Sequence, residues 1–318
     1  MDGEIKMKCF SAYNKNEEIR IKSSSGGIFT SVAEYFLNNN GIVYGVAMSD
    51  DNYSAEYKCV DKKEGLADLR GSKYFQARIA NTYQQVKKDL QQNIPVLFTG
   101  TGCQINGLKL YLHKEYDNLF CIDVICHGVP SPMVWKKYLL FQESKLDEKI
   151  TNVSFRDKCE RWEDFGMREN NLYINKDRDI FMQFFLRDYC LRPSCYNCAA
   201  KENKMSDMTI ADFWGIDEVD PSMNDHKGNS LVILRNSKAD TLFDSIKNNL
   251  VFKEVAYEDG VKYNPAEYRS CKRPPERDHF LDDFRKLSID QMRDKYLKIS
   301  FKQKVRSKLY RIKHKIVK

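Results

Sequence analysis

The stretch PVLFTGTGCQINGLKLYLHKEYDNLFCIDVIC, Pro95 to Cys126, decides how this chain folds. Residues 95–99 form a short apolar run that ends in the turn Gly100, Thr101, Gly102. Residues 103–113 have helical spacing, and 119–125 are a second apolar run that stops at Cys126. Strand, helix, strand is a crossover unit, and a right-handed crossover makes its two strands parallel. Their carboxyl ends then share one edge of the sheet, where open parallel sheets bind ligands. Cys103 and Cys126, 23 positions apart, each follow such a strand end and can face a common site.

Outward from this unit no internal repeat or low-complexity segment appears. Residues 23–37, SSSGGIFTSVAEYFL, are a serine and glycine turn feeding an amphipathic helix, followed by strands at 41–49 and 55–60. Helices are expected over 77–91 and 132–145. The second half has more strand signals, at 151–156, 172–175, 179–184, 208–212 and 229–236, then a helix at 239–250, a strand at 251–255 and charged helical segments from Pro275 onward. The expected fold is α/β, a mixed, partly parallel sheet with flanking helices and a strand-rich second half. The expected division is an α/β domain over 1–148, a second over 149–300 and a basic amphipathic helix over 301–318.

With 318 residues and 42% hydrophobic content the chain can bury a large core. The start, MDGEIKMKCF, is polar, with no apolar stretch to serve as a signal peptide or membrane span, so a reducing cytoplasm is expected. There, clustered cysteines point to metal or redox chemistry rather than disulfides. The net charge of +7 sits in the tail: residues 301–318 hold eight Lys or Arg and no acid, leaving 44 basic against 45 acidic residues before them. Phe301, Val305, Leu309, Ile312 and Ile316 recur there at helical spacing. Such a helix either packs on its own domain or makes peripheral contact with an anionic membrane surface. No aromatic recognition motif accompanies the charge, and no nucleic acid partner is expected.

Four cysteines carry the strongest chemical signal. Cys195 and Cys198 form a CxxC pair in RPSCYNC, a spacing that turns two thiols toward one centre across a tight loop. Alone the pair could be a zinc half-site or a redox dithiol; with Cys103 and Cys126 it makes a four-sulfur set suited to an iron-sulfur cluster or structural zinc. Cys190 is a reserve ligand, whereas Cys9, Cys59, Cys121, Cys159 and Cys271 show no ligand spacing. The SSSGG string, with Ser24, Ser25, Gly26 and Gly27 before a helix, is either a phosphate cradle or an ordinary serine cap. RGSKYFQA, residues 70–77, offers Arg70, Ser72, Lys73 and Tyr74 for contact with a phosphate and a flat ring, or is a surface turn. His127, beside Cys126, is a weak candidate for a proton relay or a hydrogen bond to a cluster sulfur, its default role being structural.

SSSGGIFT, GSKYFQ, GTGCQINGLK, DVICHGVPSP, RPSCYNCAAK and SDMTIADFWGI occur in this order, and the ordered set resembles the coenzyme F420 hydrogenase/dehydrogenase beta subunit family over roughly residues 9 to 260. The resemblance implies a flavoprotein carrying FAD and one [4Fe-4S] cluster. It implies Cys103, Cys126, Cys195 and Cys198 as cluster ligands. It also implies that Ser25, Gly26 and Gly27 lie nearest the FAD phosphates, with GSKYFQ beside the cofactor and Lys73 as countercharge. Asp207, Asp212, Trp214 and Gly215 fall in the family's signature after the CxxC and are expected to be architecture or pocket wall.

Two departures stand out: Gly102 occupies a position where the family commonly has proline, and this chain begins where many bacterial relatives end a ferredoxin-like segment. A separate ferredoxin-like donor is therefore expected. The family includes bacterial members found with surface-polysaccharide biosynthesis enzymes, so the substrate, a small molecule, does not follow from the resemblance. The competing expectation is a zinc-stabilised, non-catalytic scaffold at a membrane-associated assembly.

Overall fold

In the computed structural model, which describes residues 7–159 and 161–297, the quoted segment forms the heart of an eight-stranded sheet. The first five strands are β1 (Lys8–Asn14), β2 (Ile42–Met48), β3 (Ala55–Val60), β4 (Val96–Thr101) and β5 (Leu119–Val124). The second half adds β6 (Val153–Asp157), β7 (Gly166–Glu169), β8 (Leu172–Asn175), β9 (Met208–Asp212), β10 (Ser230–Leu234) and β11 (Leu250–Val255). The large sheet runs β11-β1-β10-β9-β5-β4-β2-β3, and β6-β7-β8 make a small antiparallel sheet. Strands β2, β4, β5 and β9 are parallel, and β3, β10, β1 and β11 join antiparallel, the mixed sheet expected. Strands from both sides of residue 148 hydrogen-bond within it.

Alternation along the strands builds the layers. Val43, Leu97 and Phe120 face a core shared with the helices Ile28–Asn38 and Ser237–Ile246, while Tyr44, Phe98 and Cys121 face the helices Thr82–Gln91 and Gly102–Leu112. A third, aromatic-rich core packs the small sheet against the helices Pro132–Leu146, Ile180–Leu186 and Arg277–Lys286.

Several local expectations need correction. Residues 179–184, expected as a strand, form the helix Ile180–Leu186, because the Asp179 carboxylate accepts the Met182 N–H at 2.7 Å and four of the seven residues bury among aromatic neighbours. The helix expected from Ala77 starts at Thr82. Residue 78 instead pairs with the backbone of β3, Arg78 N–H donating to Ala55 O at 2.8 Å, and covers part of that edge. Strands β1 and β7 were not anticipated, β1 lying between β10 and β11. No helix among the described residues is long and apolar enough to cross a membrane. The tail over 301–318, expected as a basic amphipathic helix, lies outside the described residues.

Candidate functional site

The parallel strands send their carboxyl ends to one edge of the sheet, and a cleft of about 1020 Å³ opens there. Cys103 enters it from the end of β4 and Cys126 from the end of β5, the placement expected from the crossover. Thr101 caps the helix Gly102–Leu112 in a reciprocal box with Gln104, putting Cys103 in its exposed first turn. Gly102 is the first helical residue, a position that also tolerates proline, so the departure from the family pattern leaves Cys103 in place.

The serine loop forms one end of the cleft. Gly27, at φ +84°, precedes the helix Ile28–Asn38 in the left-handed conformation and has no side chain to cap it, leaving the first N–H groups of the helix beside the cleft. Ser24 Oγ accepts the Ser72 N–H at 2.9 Å, stitching SSSGG to GSKY. Ser25 Oγ donates to Asn229 O at 2.5 Å, and Lys158 Nζ donates to Ser25 O at 3.1 Å. Lys158 is pulled down to about 7, first by burial and then by the positive charges of Arg156 and Arg20.

Two expected contacts are corrected here. Gly26 does not line the cleft: its N–H donates to Ser230 Oγ at 2.9 Å, and a Cβ there would sit 2.5 Å from Ala12 O. The glycine lets the loop pass over β1 and β10. Gly26→Ala is accordingly expected to destabilise the fold by about 1–3 kcal/mol, read as a lower denaturant midpoint; an unchanged midpoint would refute this role. Lys73 lines the cleft but donates its ammonium to Asp68 O at 2.8 Å and Arg70 O at 3.0 Å, and burial pulls it down to about 7. It is a poor countercharge in that state.

Tyr74 lines the cleft with its ring against Phe155 and Phe185. Burial pushes its hydroxyl up, opposed by neighbouring Arg156. Arg156 was missed by the sequence, which surrounds it with no motif. Its buried guanidinium pairs with Asp212 at 2.8 Å and lies 3.8 Å from the centre of the Phe165 ring. Asp212 and Trp214, which stacks on Trp162, are pocket wall. Asp207 is architecture, accepting the Cys121 N–H at 2.7 Å and Asn236 Nδ2 at 2.8 Å, and Gly215, at φ +81°, lies under the Tyr263 ring.

Cys103 and Cys126 line the cleft, whereas Cys195 and Cys198 stand outside its lining, Cys195 against Gly128. Cys195 Sγ accepts the Val129 N–H at 3.4 Å, and the Cys198 N–H donates to Ser270 Oγ at 2.9 Å. Cys126 lies in the neighbourhood of Cys195 and Cys103, and Cys195 in that of Cys103 and Cys198, close enough that a thiolate at one would disfavour ionisation of the next. Burial pushes Cys126 up to about 12 and raises Cys195. Among the described residues, no three Cys, His, Asp or Glu side chains form a group that could hold a metal ion as they stand. In donor chemistry and neighbourhood the four sulfurs nonetheless suit a soft metal centre.

Cys190, the reserve ligand, is fully buried in the aromatic core. Cys271, dismissed on spacing, lies beside the CxxC with its thiol directed at Cys195 O, 3.7 Å away. Only tertiary folding could reveal that neighbour, 76 positions along the chain. His127 lines the cleft, its Nε2 2.6 Å from Asp188 Oδ1.

Residues 9–82 match the family model described as coenzyme F420 hydrogenase/dehydrogenase, beta subunit N-term, and residues 95–259 match its counterpart for the C terminus of the same beta subunit. Among solved structures, a chain of the F420-reducing NiFe hydrogenase complex from Methanosarcina barkeri, a xenon derivative, is similar with a TM-score of 0.57 and 14% identity. The likeness covers 81% of this chain and 86% of that one, and at this identity it is a likeness of fold. No curated protein matches the sequence.

Proposed function

Because the chain belongs to the coenzyme F420 hydrogenase/dehydrogenase beta subunit family, we propose that it is an FAD-dependent iron-sulfur oxidoreductase that passes electrons from a ferredoxin-like protein to a small organic substrate. Membership supplies the coarser part, an iron-sulfur oxidoreductase subunit with a role in electron transfer. The finer part rests on one observation: a single cleft has thiols at one end and an uncapped helix start with a hydroxyl-rich loop at the other.

When bound, the cluster would supply single-electron transfer and the flavin a two-electron store. Cys103, Cys126, Cys195 and Cys198 would hold the cluster, with the Val129 N–H bonded to the Cys195 sulfur. Ser24, Ser25, Gly27 and Ser72 would hold the FAD phosphates, and Tyr74 would wall the cofactor site. His127, whose Nε2 lies 2.6 Å from Asp188 Oδ1, would present its other ring nitrogen to a ligand at the cleft wall. Arg192, Arg269 and Lys272 are exposed near the CxxC and have no carboxylate partner among the described residues, a pattern that favours an acidic protein donor.

Anaerobic purification followed by iron and flavin quantification tests the proposal. About four irons and one FAD per chain are expected, the content of a single-cluster flavoprotein. A colourless protein after reconstitution, or one holding zinc without flavin, would overturn it.

A further inference from the structure

Beside the serine loop lies a second, smaller cavity of about 180 Å³, which shares Ser24, Arg70, Ser72 and Arg156 with the cleft. At about 30 Å³ per water it has room for roughly six waters, enough for a tetrahedral anion. Its walls carry four cationic side chains, Lys22, Arg70, Lys73 and Arg156, four serines, and no carboxylate. Such a lining selects for negative charge.

Three of the four cations are already engaged. Lys22 pairs with Glu18 at 2.6 Å, Lys73 donates to two carbonyls, and Arg156 pairs with Asp212. Arg70 differs: its Nε donates to Thr30 Oγ1 at 3.1 Å, and among the described residues its two terminal nitrogens have no hydrogen-bond or ion-pair partner. Burial weakens its hold on its proton, as expected of a partly desolvated cation without an anion at contact. The hydroxyls alongside are also available. Ser24 Oγ and Ser72 Oγ lie 3.1 Å apart, so when one donates to the other, one hydrogen remains to point at a ligand.

We propose that this cavity is a phosphoryl subsite, occupied by a phosphate group of the flavin nucleotide that lies along the cleft, with Arg70 as the pairing cation and Ser24 and Ser72 beside it. The inference rests on the flavin nucleotide proposed above, and it assigns to Arg70 the countercharge that Lys73 cannot provide while its ammonium is engaged. A guanidinium fork matches two phosphate oxygens, which a lysine ammonium does not.

Titration of the full chain with FAD, FMN and riboflavin, for wild type, Arg70→Gln and Arg70→Lys, tests the proposal. Arg70→Gln is expected to weaken FAD and FMN about tenfold to a hundredfold, the range for a lost charge-assisted hydrogen bond, and to leave riboflavin unchanged. Arg70→Lys should fall between. Inorganic pyrophosphate, followed by phosphorus NMR, should bind wild type and not Arg70→Gln.

If folded Arg70→Gln, with an unchanged thermal melt, binds FAD as wild type does, the subsite is overturned while the flavin proposal stands. If wild type binds pyrophosphate through Arg70 but no flavin, the assignment of the subsite to a flavin phosphate is overturned together with the flavin proposal. If wild type binds neither flavin nor pyrophosphate, both fall.

Discussion

Cys126→Ala, reconstituted anaerobically, is expected to lose its cluster while still taking up flavin, with iron falling from about four per chain to below about one. Cys126 stands at the end of β5, where its carbonyl accepts a hydrogen bond from Lys201 Nζ. Lys201 also reaches Ala266 O, so the backbone at residue 126 is tied down whatever side chain it carries. Alanine therefore removes a sulfur with little reason for the strand end to move. A four-iron cubane held by one thiolate per iron would be left one ligand short. The serine loop and Arg70 form a different part of the cleft, and flavin uptake should survive. Iron analysis, visible absorption and electron paramagnetic resonance after reduction read the outcome. Cys59→Ser, exposed on β3, is the control and should keep full iron. Full iron in Cys126→Ala, or an equal loss in Cys59→Ser, would refute the ligand role.

Between about pH 5 and 8 the wild type should lose roughly 3 kcal/mol more stability than Glu169→Gln, while buried Lys73 and Lys158, pulled down to about 7, shift both proteins equally in the opposite sense. Glu169, at the end of β7, is 1% exposed. One carboxylate oxygen accepts a hydrogen bond from Gln142 Nε2 at 2.9 Å, and the other has no hydrogen-bond partner among the described residues. Burial and the charge of Asp179 push Glu169 up to about 7, with the hydrogen bond from Gln142 and the charge of Lys145 opposing. Asp179, which accepts hydrogen bonds from Tyr138 and the Met182 N–H, is itself pushed up to about 6 by burial.

Because the folded value of Glu169 lies above its ordinary 4.5, the native state holds a proton that the unfolded chain releases between those values. The associated stability is fully present below about 4.5 and is lost as pH rises through about 7. Denaturant unfolding of both proteins across this range provides the check. A Glu169→Gln profile with the same pH slope as wild type would show that the carboxyl group is not buried in its neutral form.

Much of the architecture was legible because it is written in local patterns. Apolar runs at 95–99 and 119–125, separated by a helical segment, already imply two parallel strands with a shared carboxyl edge. The strand expected at 179–184 shows the limit of such patterns. Ile180, Met182 and Phe184 alternate as a strand would, yet Asp179 caps a helix there and the aromatic core covers Phe181 and Phe185 as well. Alternation could not reveal that both sides of the segment would be buried. Similarly, β1 carries Ser11 and Asn14 among its apolar residues, and the Ser11 hydroxyl and the Asn14 amide nitrogen find their partners in Asn229 and Ser31, outside the strand.

By itself the sequence determined the crossover, the neighbourhood of Cys103 and Cys126, the CxxC turn and the family, since each depends on short-range spacing or on motifs in order. Only the tertiary structure decided which atoms face the cleft. Gly26 turns inward because Ser230, 204 positions away, accepts its N–H; Lys73 spends its ammonium on nearby carbonyls; Arg70 keeps two nitrogens without partners among the described residues. Cys271 reaches the CxxC across 76 residues. A motif states which donors and acceptors the chain possesses. Whether each remains available for a ligand depends on its three-dimensional neighbours, because a buried polar group left unpaired is costly and takes the partner that folding brings to it.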